Sequence, residues 1–167
     1  MELVELDPDR DAEALHAILG DEASCRYLPR PAQDAVDDTR ALLRQWHDGN
    51  EANDWAIRQH GVTVGRVSLF SQRPGVWEAA CLVVPAARGQ GLSRRALPFA
   101  IDRVFDTEDA HRIEADIDPD NLPSIRVFEH LGFRREGHLR HTWRTHIGLR
   151  DSLIFGLLRD EPRPWRA

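Results

Sequence analysis

Two glycines lie where a strand gives way to a helix, and their spacing indicates a binding site for phosphate. Gly89 and Gly91 leave backbone amides uncovered at the start of the helix. These amides and the helix dipole together can bind a diphosphate. Three arginines add positive charge around them: Arg88, Arg94 and Arg95. A turn that starts a helix has the same residues, so the pattern alone leaves both interpretations open.

Two nucleotide-binding loops are disfavoured by the same segment. A P-loop requires Gly-Lys followed by Ser or Thr, and the chain contains no lysine. A dinucleotide-binding loop requires a third glycine, at the position of Arg94, and it lies early in a doubly wound sheet. Here the loop follows several predicted antiparallel strands.

Glu78 is the first candidate for a general base. Strand alternation places it on one face with Ala80, Leu82 and Val84. Such an apolar setting raises the pKa of a carboxyl group toward the range in which a base is useful. The alternative is a glutamate on an edge strand, close to solvent.

Two further groups have acid–base potential but weaker surroundings. Glu114 is the second candidate base, yet it alternates with Arg112 and Asp116 on a polar face, where a solvated charge is the simpler interpretation. Cys81 has no basic partner in the sequence to activate it, so we interpret it as a buried structural thiol.

Three histidines near the C-terminus do not predict a metal site: His138, His141 and His146. Positions three apart on a strand face opposite sides, so His138 and His141 are not expected to share one ion. We therefore expect surface histidines and no metal.

The elements that position these residues follow from periodicity and turn signals. The predicted helices run from the cap Asp7-Pro8 to Gly20, over 34–47 with Gly49 as a stop, from the loop 88–93 to about Asp106, and from the cap Asn121 to Gly132. The predicted strands begin at Val4 and at Trp55, return over 62–69 after the turn His60-Gly61, and continue over 76–84, 111–117, 133–144 and 148–158. This order predicts an α+β domain with a mixed sheet covered by helices, and a loose tail over 161–167.

Composition restricts the class of protein. The 167 residues fit one domain, 1–167, and the formal charge of −6 favours a cationic substrate over nucleic acid. Cys25 and Cys81 are far apart and the N-terminus has no basic segment, so we expect a cytoplasmic protein without disulfides or a signal peptide. No apolar run is long enough for a membrane span. Monomer and homodimer both remain open.

Two motifs resemble signatures of the GNAT superfamily of N-acetyltransferases. The loop Arg88-Gly89-Gln90-Gly91-Leu92-Ser93 is similar to the family's acyl-CoA pyrophosphate loop, Gln/Arg-x-x-Gly-x-Gly/Ala, with serine as the last small residue. The segment from Asn121 to Phe133 resembles the second signature. Together with Arg112-Ile113-Glu114-Ala115 and Leu149-Arg150-Asp151-Ser152, it matches best the ribosomal-protein-alanine (RimJ/RimL-type) branch, and the resemblance covers nearly the whole chain.

The resemblance implies a fold and a cosubstrate. The fold is the acyl-CoA N-acyltransferase fold, a mixed and mostly antiparallel sheet with helices on both faces. The cosubstrate is acetyl-CoA, with no metal. Its contacts are expected at Leu82, Val83, Arg88, Gly89, Gln90, Gly91, Leu92, Ser93, Arg94, Asn121 and Phe128. Among these, the backbone of Leu82 and Val83 pairs with the pantetheine arm, and Asn121 hydrogen-bonds the arm from the other side.

The resemblance also implies how protons move. An amine attacks the thioester directly, and Glu78 aligns with an acidic position common in the family. Many members protonate the departing thiolate with a tyrosine, but here that position is Phe128. A thiol with a pKa near 8.5 leaves readily, and Ser124, which resembles a serine of the ribosomal branch, is a candidate donor. A helix-start serine bonded to its own backbone is the alternative.

Three functions stay open at this point. The first, implied by the resemblance to the ribosomal-protein branch, is acetylation of a protein N-terminal α-amine, such as that of a basic N-terminus. Such an amine needs a base less than a lysine does. The second is acetylation of a small molecule such as an aminoglycoside, a polyamine or an amino acid. The third is a CoA-binding regulatory module without catalysis, which Phe128 keeps open. Trp77, next to Glu78, is expected to line the acceptor site.

Overall fold

The computed structural model describes residues 1–49 and 52–166 as a seven-stranded sheet with helices on both faces. The strands are β1 (Glu2–Glu5), β2 (Ala52–Gln59), β3 (Val62–Arg73), β4 (Val76–Val83), β5 (Arg112–Ile117), β6 (Arg134–Thr145) and β7 (Gly148–Leu158). The helices are α1 (Pro8–Leu19), α2 (Glu22–Cys25), α3 (Val36–Gly49), α4 (Leu92–Thr107) and α5 (Leu122–His130), with 3₁₀ turns at Pro85–Ala87 and Pro164–Arg166. The strand order is β1-β2-β3-β4-β5-β7-β6, and among these described strands the β4–β5 pair is parallel and the other pairs are antiparallel.

Local capping explains where the helices begin. The Asp7 side chain accepts hydrogen bonds from the amides of Asp9 and Arg10, and Pro8 occupies the first turn of α1. The Asn121 side chain caps α5 in the same way. The predicted helices agree with the structure to within about two residues at their capped ends, and the short α2 is the one helix that the periodicity did not predict.

The two faces of the sheet carry different helices. On β3, Arg66 stacks on the Trp46 ring of α3, with its guanidinium carbon 4.6 Å from the ring centroid. The neighbouring Val67 pairs with Cys81 of β4, whose thiol lies 3.4 Å from the Ser93 hydroxyl of α4. Because successive strand residues face opposite sides, α1 and α3 cover one face, and α4 covers the other. The expected α+β architecture is confirmed.

The parallel pairing of β4 with β5 is short, and this opens the sheet. Val76 to Glu78 pair with Arg112 to Glu114. Beyond that point β4 continues along β3 up to the pair Gly65 and Val83, and β5 continues along β7. Within the described residues no pairing joins the second halves of β4 and β5, so a gap separates them.

The C-terminal tail is docked, and the prediction of a loose tail over 161–167 is wrong for its described part. Arg163 and the Trp165 indole donate to the two carboxylate oxygens of Asp102 on α4, at 2.6 and 3.0 Å. Arg166 pairs with Asp102 and Asp106. Sequence periodicity does not detect this docking because each contact links residues about 60 positions apart. Ala167 lies outside the described residues.

Candidate active site

A groove of about 730 Å³ lies in the gap between the diverging strands. Its walls come from β4, the loop before α4, the start of α5 and the segment around α2. Of the predicted residues, those that line it are Leu82, Val83, Arg88, Gly89, Gly91, Leu92, Ser93, Arg94, Asn121, Ser124 and Phe128. Sites of this volume typically enclose most of the surface of a small ligand.

The backbone of β4 offers its free groups to the groove at alternate residues. The Val84 amide donates to the Val64 carbonyl at 2.9 Å. The Leu82 carbonyl also faces β3, since a Cβ added to Gly65 would lie only 2.5 Å from its oxygen. In an antiparallel pair such groups alternate along the strand, so the intervening Val83 directs its backbone into the gap. The prediction that Leu82 pairs with a ligand through its backbone is therefore wrong, because its carbonyl faces β3, although the residue lines the groove.

The loop before α4 has the geometry of a phosphate cradle. Gly89 and Gly91 have φ values of 78° and 70°, a conformation that other residues rarely adopt. A Cβ on either glycine would meet nothing within 4 Å, so the backbone is open to a ligand. Gly91 caps α4 without any side-chain hydrogen bond to the first amides of the helix, and those amides attract an anion.

Arg88 reaches across the mouth of the groove. Its Nε donates to the Val83 carbonyl at 3.1 Å, and one terminal nitrogen donates to the Ser24 hydroxyl at 2.6 Å. Gln90 points elsewhere: its side chain accepts from Gln59 at 3.3 Å, and the residue does not line the groove. The prediction that Gln90 contacts the cosubstrate therefore disagrees with its position in the structure.

The opposite wall comes from α5 and from one tyrosine. The Asn121 side-chain oxygen Oδ1 accepts from the Ser124 backbone amide at 3.3 Å, and both residues line the groove at the start of α5. Phe128 is buried and packs edge-on against Phe133, with 5.0 Å between ring centroids. Tyr27, the only tyrosine of the chain, lines the groove, and its hydroxyl donates to the Asp120 carbonyl at 3.2 Å.

Glu78 lies at the point where β4 and β5 separate, on the face that carries α1 and α3. It is half-buried and accepts a hydrogen bond from Gln72 at 2.7 Å. Burial, together with the negative charges of Asp116 and Glu114, raises the pKa of Glu78 to about 7, although the Gln72 hydrogen bond opposes the shift. Such a carboxyl group exchanges protons near neutral pH.

Glu114, the second candidate base, is occupied by ion pairs. It lies opposite Glu78 in the β4–β5 register and accepts from Arg73 and Arg112 at 2.8 and 2.7 Å. Burial alone would raise the pKa of Glu114, but the hydrogen bonds of the two arginines lower it below its ordinary value. It is a paired anion and not the solvated charge that the sequence predicted.

The comparison with known families identifies the chain. The family profile described as "Acetyltransferase (GNAT) domain" matches residues 1–134. The chain belongs to the GNAT acetyltransferase family. Its mixed, mostly antiparallel sheet with helices on both faces is the fold that the resemblance implied.

Individual relatives of this GNAT domain differ in how much they share with it. The probable N-acetyltransferase YjcK of Bacillus subtilis is 33% identical over 98 residues, which are 57% of this chain and 54% of YjcK, so the match spans about half of that relative. The spermidine N(1)-acetyltransferase of Escherichia coli is 31% identical over 134 residues, 78% of this chain and 72% of that enzyme. The structure of Mycobacterium smegmatis RimJ in complex with CoA-disulfide superposes with a TM-score of 0.76 at 25% identity and covers 93% of this chain and 80% of RimJ.

The groove of this GNAT domain fits a CoA molecule. The glycine cradle and Arg94 suit the diphosphate, and the gap beside Val83 suits an extended arm that pairs with a strand. Asn121, Ser124 and Phe128 line the opposite wall. The fit is carried by the open glycine backbone and by the edge of β4 at Val83, which pairs with no strand on the β5 side in the described residues.

The acceptor side contains residues that the sequence did not single out. The Trp143 indole donates to the Asp116 carboxylate at 2.8 Å, so the β6–β7 hairpin lies beside Glu78. Trp77, expected at this place, is buried among core residues on the opposite face, because it alternates with Glu78. The sequence could have pointed to Asp116, because strand alternation places it on the same face as Glu114, two residues earlier. Its proximity to Glu78 could not be predicted, because it depends on how β4 and β5 are aligned.

Two other predictions concern residues outside the proposed chemistry. Burial raises the pKa of the Cys81 thiol to about 11, so it stays protonated as expected for a structural thiol, although its side chain lines the groove. His138 and the His141 amide both contact Asp151, at 2.8 Å each, because β6 bulges between Leu139 and Trp143 and strand alternation fails there. In residues 1–49 and 52–166 no three side chains are grouped as metal ligands, and no helix is long and apolar enough to span a membrane.

Proposed function

We propose that this GNAT domain transfers the acetyl group of acetyl-CoA to a primary amine, and that the acceptor is the N-terminal α-amine of a protein. The observation that carries the proposal is the position of Glu78, with a pKa raised to about 7, at the last β4–β5 pair, where the strands begin to separate. Glu78 itself is not one of the residues that line the groove. The proposal combines a base at the point where the strands separate with the strand edge and the phosphate cradle of the groove.

Glu78 accepts the proton that the amine must lose. Acetyl-CoA supplies a thioester carbonyl, and the reaction forms a carbon–nitrogen bond while the carbon–sulfur bond breaks. An α-amine with a pKa of about 8 is roughly one tenth neutral at pH 7, whereas a lysine with a pKa of about 10.4 is neutral only in a few molecules per ten thousand. A carboxylate with a pKa of about 7 is therefore matched to an α-amine.

Ser124 is the proposed hydrogen-bond donor for the departing sulfur. It lines the groove one helical turn before Phe128, which has no proton to give. Its amide bonds to Asn121, so its hydroxyl is not needed to cap the helix. A thiol with a pKa of about 8.5 needs little assistance to leave, so the expected contribution of Ser124 is small.

The surface around Glu78 supports a peptide acceptor. Trp143 is 44% exposed, and Asp120 and Gln72 are exposed as well, so the acceptor side is open and not enclosed. Asp116 contributes negative charge close to Glu78. An open and acidic surface suits a chain that enters with a cationic amine at its end.

A panel of acceptors tests this proposal. Thiol release from acetyl-CoA is followed with N-terminal peptides, the same peptides with a blocked α-amine and one internal lysine, and small amines. Selective turnover of the free α-amine peptides supports the proposal. Turnover of the blocked peptides at the same rate would contradict it.

A polyamine is the second candidate, and a specific observation favours it. Spermidine N(1)-acetyltransferase of Escherichia coli is 31% identical over 78% of this chain, and the acidic groups near Glu78 would attract a polycation. In the same panel, turnover of spermidine but not of peptides would select this candidate. Binding of CoA without turnover of any amine would instead support the regulatory module.

A further inference from the structure

A short segment that includes α2 crosses the groove from one wall to the other. We call residues 21–28 the strap. Four of its residues line the groove: Ala23, Ser24, Tyr27 and Leu28. The strap is fixed to α1 through the buried Cys25, whose thiol donates to the Ile18 carbonyl at 3.4 Å. The strap therefore lies over the space in which the proposed cosubstrate binds.

The strap has one neutral anchor on the α5 side. Tyr27 donates its phenolic hydrogen to the Asp120 carbonyl, 93 positions away, at the end of the loop that leads to α5. No residue of the phosphate cradle takes part in this contact. A ligand in the cradle therefore leaves this anchor in place.

The second anchor uses the arginine of the phosphate loop. Arg88 donates to the Ser24 hydroxyl at 2.6 Å, and that hydroxyl donates to the Asp21 carboxylate at 2.5 Å. Arg88 also donates to the Val83 carbonyl, which is one of the groups that the strand edge offers to the groove. The same guanidinium thus holds the strap and covers a ligand-binding carbonyl.

We propose that the two anchors act differently when the cosubstrate binds: its diphosphate takes Arg88 from Ser24 and Val83, while Tyr27 keeps the strap closed over the groove. The proposal rests on the proposed function, because it assumes a CoA diphosphate in the glycine cradle. Tyr27 and Ser24 are positioning residues in this scheme.

Charge decides the exchange. The direct acceptors of Arg88 in the structure are a hydroxyl and a backbone carbonyl, both neutral, and the charge of Asp21 acts on Arg88 from behind the Ser24 hydroxyl without a direct bond. Hydrogen bonds between two charged groups are roughly twice as strong as neutral ones. Because Arg88 directly precedes Gly89 of the phosphate cradle, a diphosphate bound there would lie close to its guanidinium group. When Arg88 leaves, the Val83 carbonyl becomes free to pair with the arm of the cosubstrate.

The exchange predicts that one substitution which removes a hydrogen bond, Ser24→Ala, should strengthen CoA binding and not weaken it. Because the bond between Arg88 and Ser24 must break on binding, Ser24→Ala removes a competitor, and CoA should bind roughly threefold to tenfold more tightly, the effect of one hydrogen bond. Arg88→Gln should weaken CoA binding at least tenfold. Arg95→Gln removes the same charge from a residue outside the groove lining and should weaken it less.

Tyr27→Phe tests the other anchor. It removes only the hydroxyl, so the strap should open more readily. The KM values for acetyl-CoA and for the acceptor should rise severalfold, while kcat stays within about twofold. If Tyr27 instead donated a proton to the sulfur, kcat would fall, the alkaline limb of its pH profile would change, and the positioning role would be overturned.

Calorimetric titration with CoA is the direct experiment. Wild type and the variants Ser24→Ala, Arg88→Gln, Arg95→Gln and Tyr27→Phe are titrated after thermal unfolding has shown that each is folded. Tighter binding by Ser24→Ala supports the exchange. Weaker binding by Ser24→Ala would show that Ser24 holds Arg88 in the complex too, and would overturn the exchange while the proposed function stands. Absence of CoA binding by the wild type would overturn the proposed function itself, and the strap mechanism with it.

Discussion

Two glutamates lie side by side on neighbouring strands and have opposite properties. Glu78 on β4 and Glu114 on β5 are register partners. Glu114 accepts from two arginines, and these lower its pKa. In the described part of the chain Glu78 accepts only from the neutral Gln72, and burial and nearby carboxylates raise its pKa to about 7. Two residues of the same type, one strand apart, thus become a paired anion and a candidate base.

The two pKa values differ because the nearby arginines pair with Glu114 and not with Glu78. Arg73, at the end of β3, and Arg112, on β5 itself, both turn to Glu114. On the other side of Glu114, Asp116 accepts from the neutral Trp143 indole, which leaves its negative charge uncompensated near Glu78. The site therefore separates its charges, with cations on one carboxylate and anions around the other.

The largest expected effect is on turnover by the two charge-removing variants. Glu78→Gln removes the proposed base and should lower kcat by roughly 10² to 10⁴, the usual contribution of general base catalysis. Glu114→Gln removes a neighbouring charge but no base, so kcat should fall less than tenfold. Steady-state kinetics at pH 7 measures both. Equal losses would show that Glu78 has no special role.

The second effect is on thermal stability: at pH 8 the two variants Glu78→Gln and Glu114→Gln should change Tm in opposite directions. The penalty for ionised Glu78 is fully present above its folded pKa of about 7 and disappears as the pH falls toward the unfolded value, so Glu78→Gln should raise Tm at pH 8 and much less at pH 5. The stabilisation by Glu114 is present above the unfolded pKa and is lost only under more acidic conditions, so Glu114→Gln should lower Tm at both pH values. For a chain of this size each kcal/mol corresponds to roughly 2–4 °C.

Thermal unfolding at pH 8 and pH 5 measures both signs. A lower Tm for Glu78→Gln at pH 8 would mean that ionised Glu78 does not destabilise the folded protein at this pH. Its raised pKa would then have to be abandoned as an argument for catalysis.

Much of the fold could be predicted because its signals are local. The caps Asp7 and Asn121 and the turn His60-Gly61 mark element ends within a few residues of sequence, and the bounds of β7 match the prediction, Gly148–Leu158. The α2 helix was missed because four residues have no periodicity. The bulge in β6 was missed because strand alternation was assumed to continue past Leu139.

The candidate site divides in the same way. The phosphate cradle lies within one continuous loop, and all of its predicted residues except Gln90 line the groove. The acceptor side depends on contacts between distant segments, such as Trp143 with Asp116 and Tyr27 with Asp120. Which strand faces which partner is set by sheet register, and the sequence pattern contains no direct measure of it.

A third effect concerns the pH profile, with two substitutions that act in opposite directions. Asp116→Asn removes a negative charge that raises the pKa of Glu78, so the acid limb of kcat/KM should move to lower pH. Gln72→Leu removes a hydrogen bond that lowers this pKa, so the limb should move to higher pH. Shifts of about half a unit to one unit are expected. The acceptor amine titrates identically with every variant, so differences between variants report on Glu78, and movement in the same direction would contradict this electrostatic account.

The smallest expected effect on the pH profile comes from Arg73, which pairs with Glu114 and acts on Glu78 only through the charge of Glu114. Arg73 pairs with Glu114 while its side chain is 57% exposed. Arg73→Ala leaves Glu114 with Arg112 alone, so more negative potential reaches Glu78, and the acid limb should rise by a few tenths of a unit. Because salt screens exposed charges within about 3 Å at 1 M, the shift should vanish in 1 M salt, unlike that of Asp116→Asn. Arg166→Ala, which removes a half-exposed arginine from the opposite face, is the control and should leave the limb unchanged. A shift that persists in high salt would mean that Arg73 acts through the conformation of β3 and not through its charge.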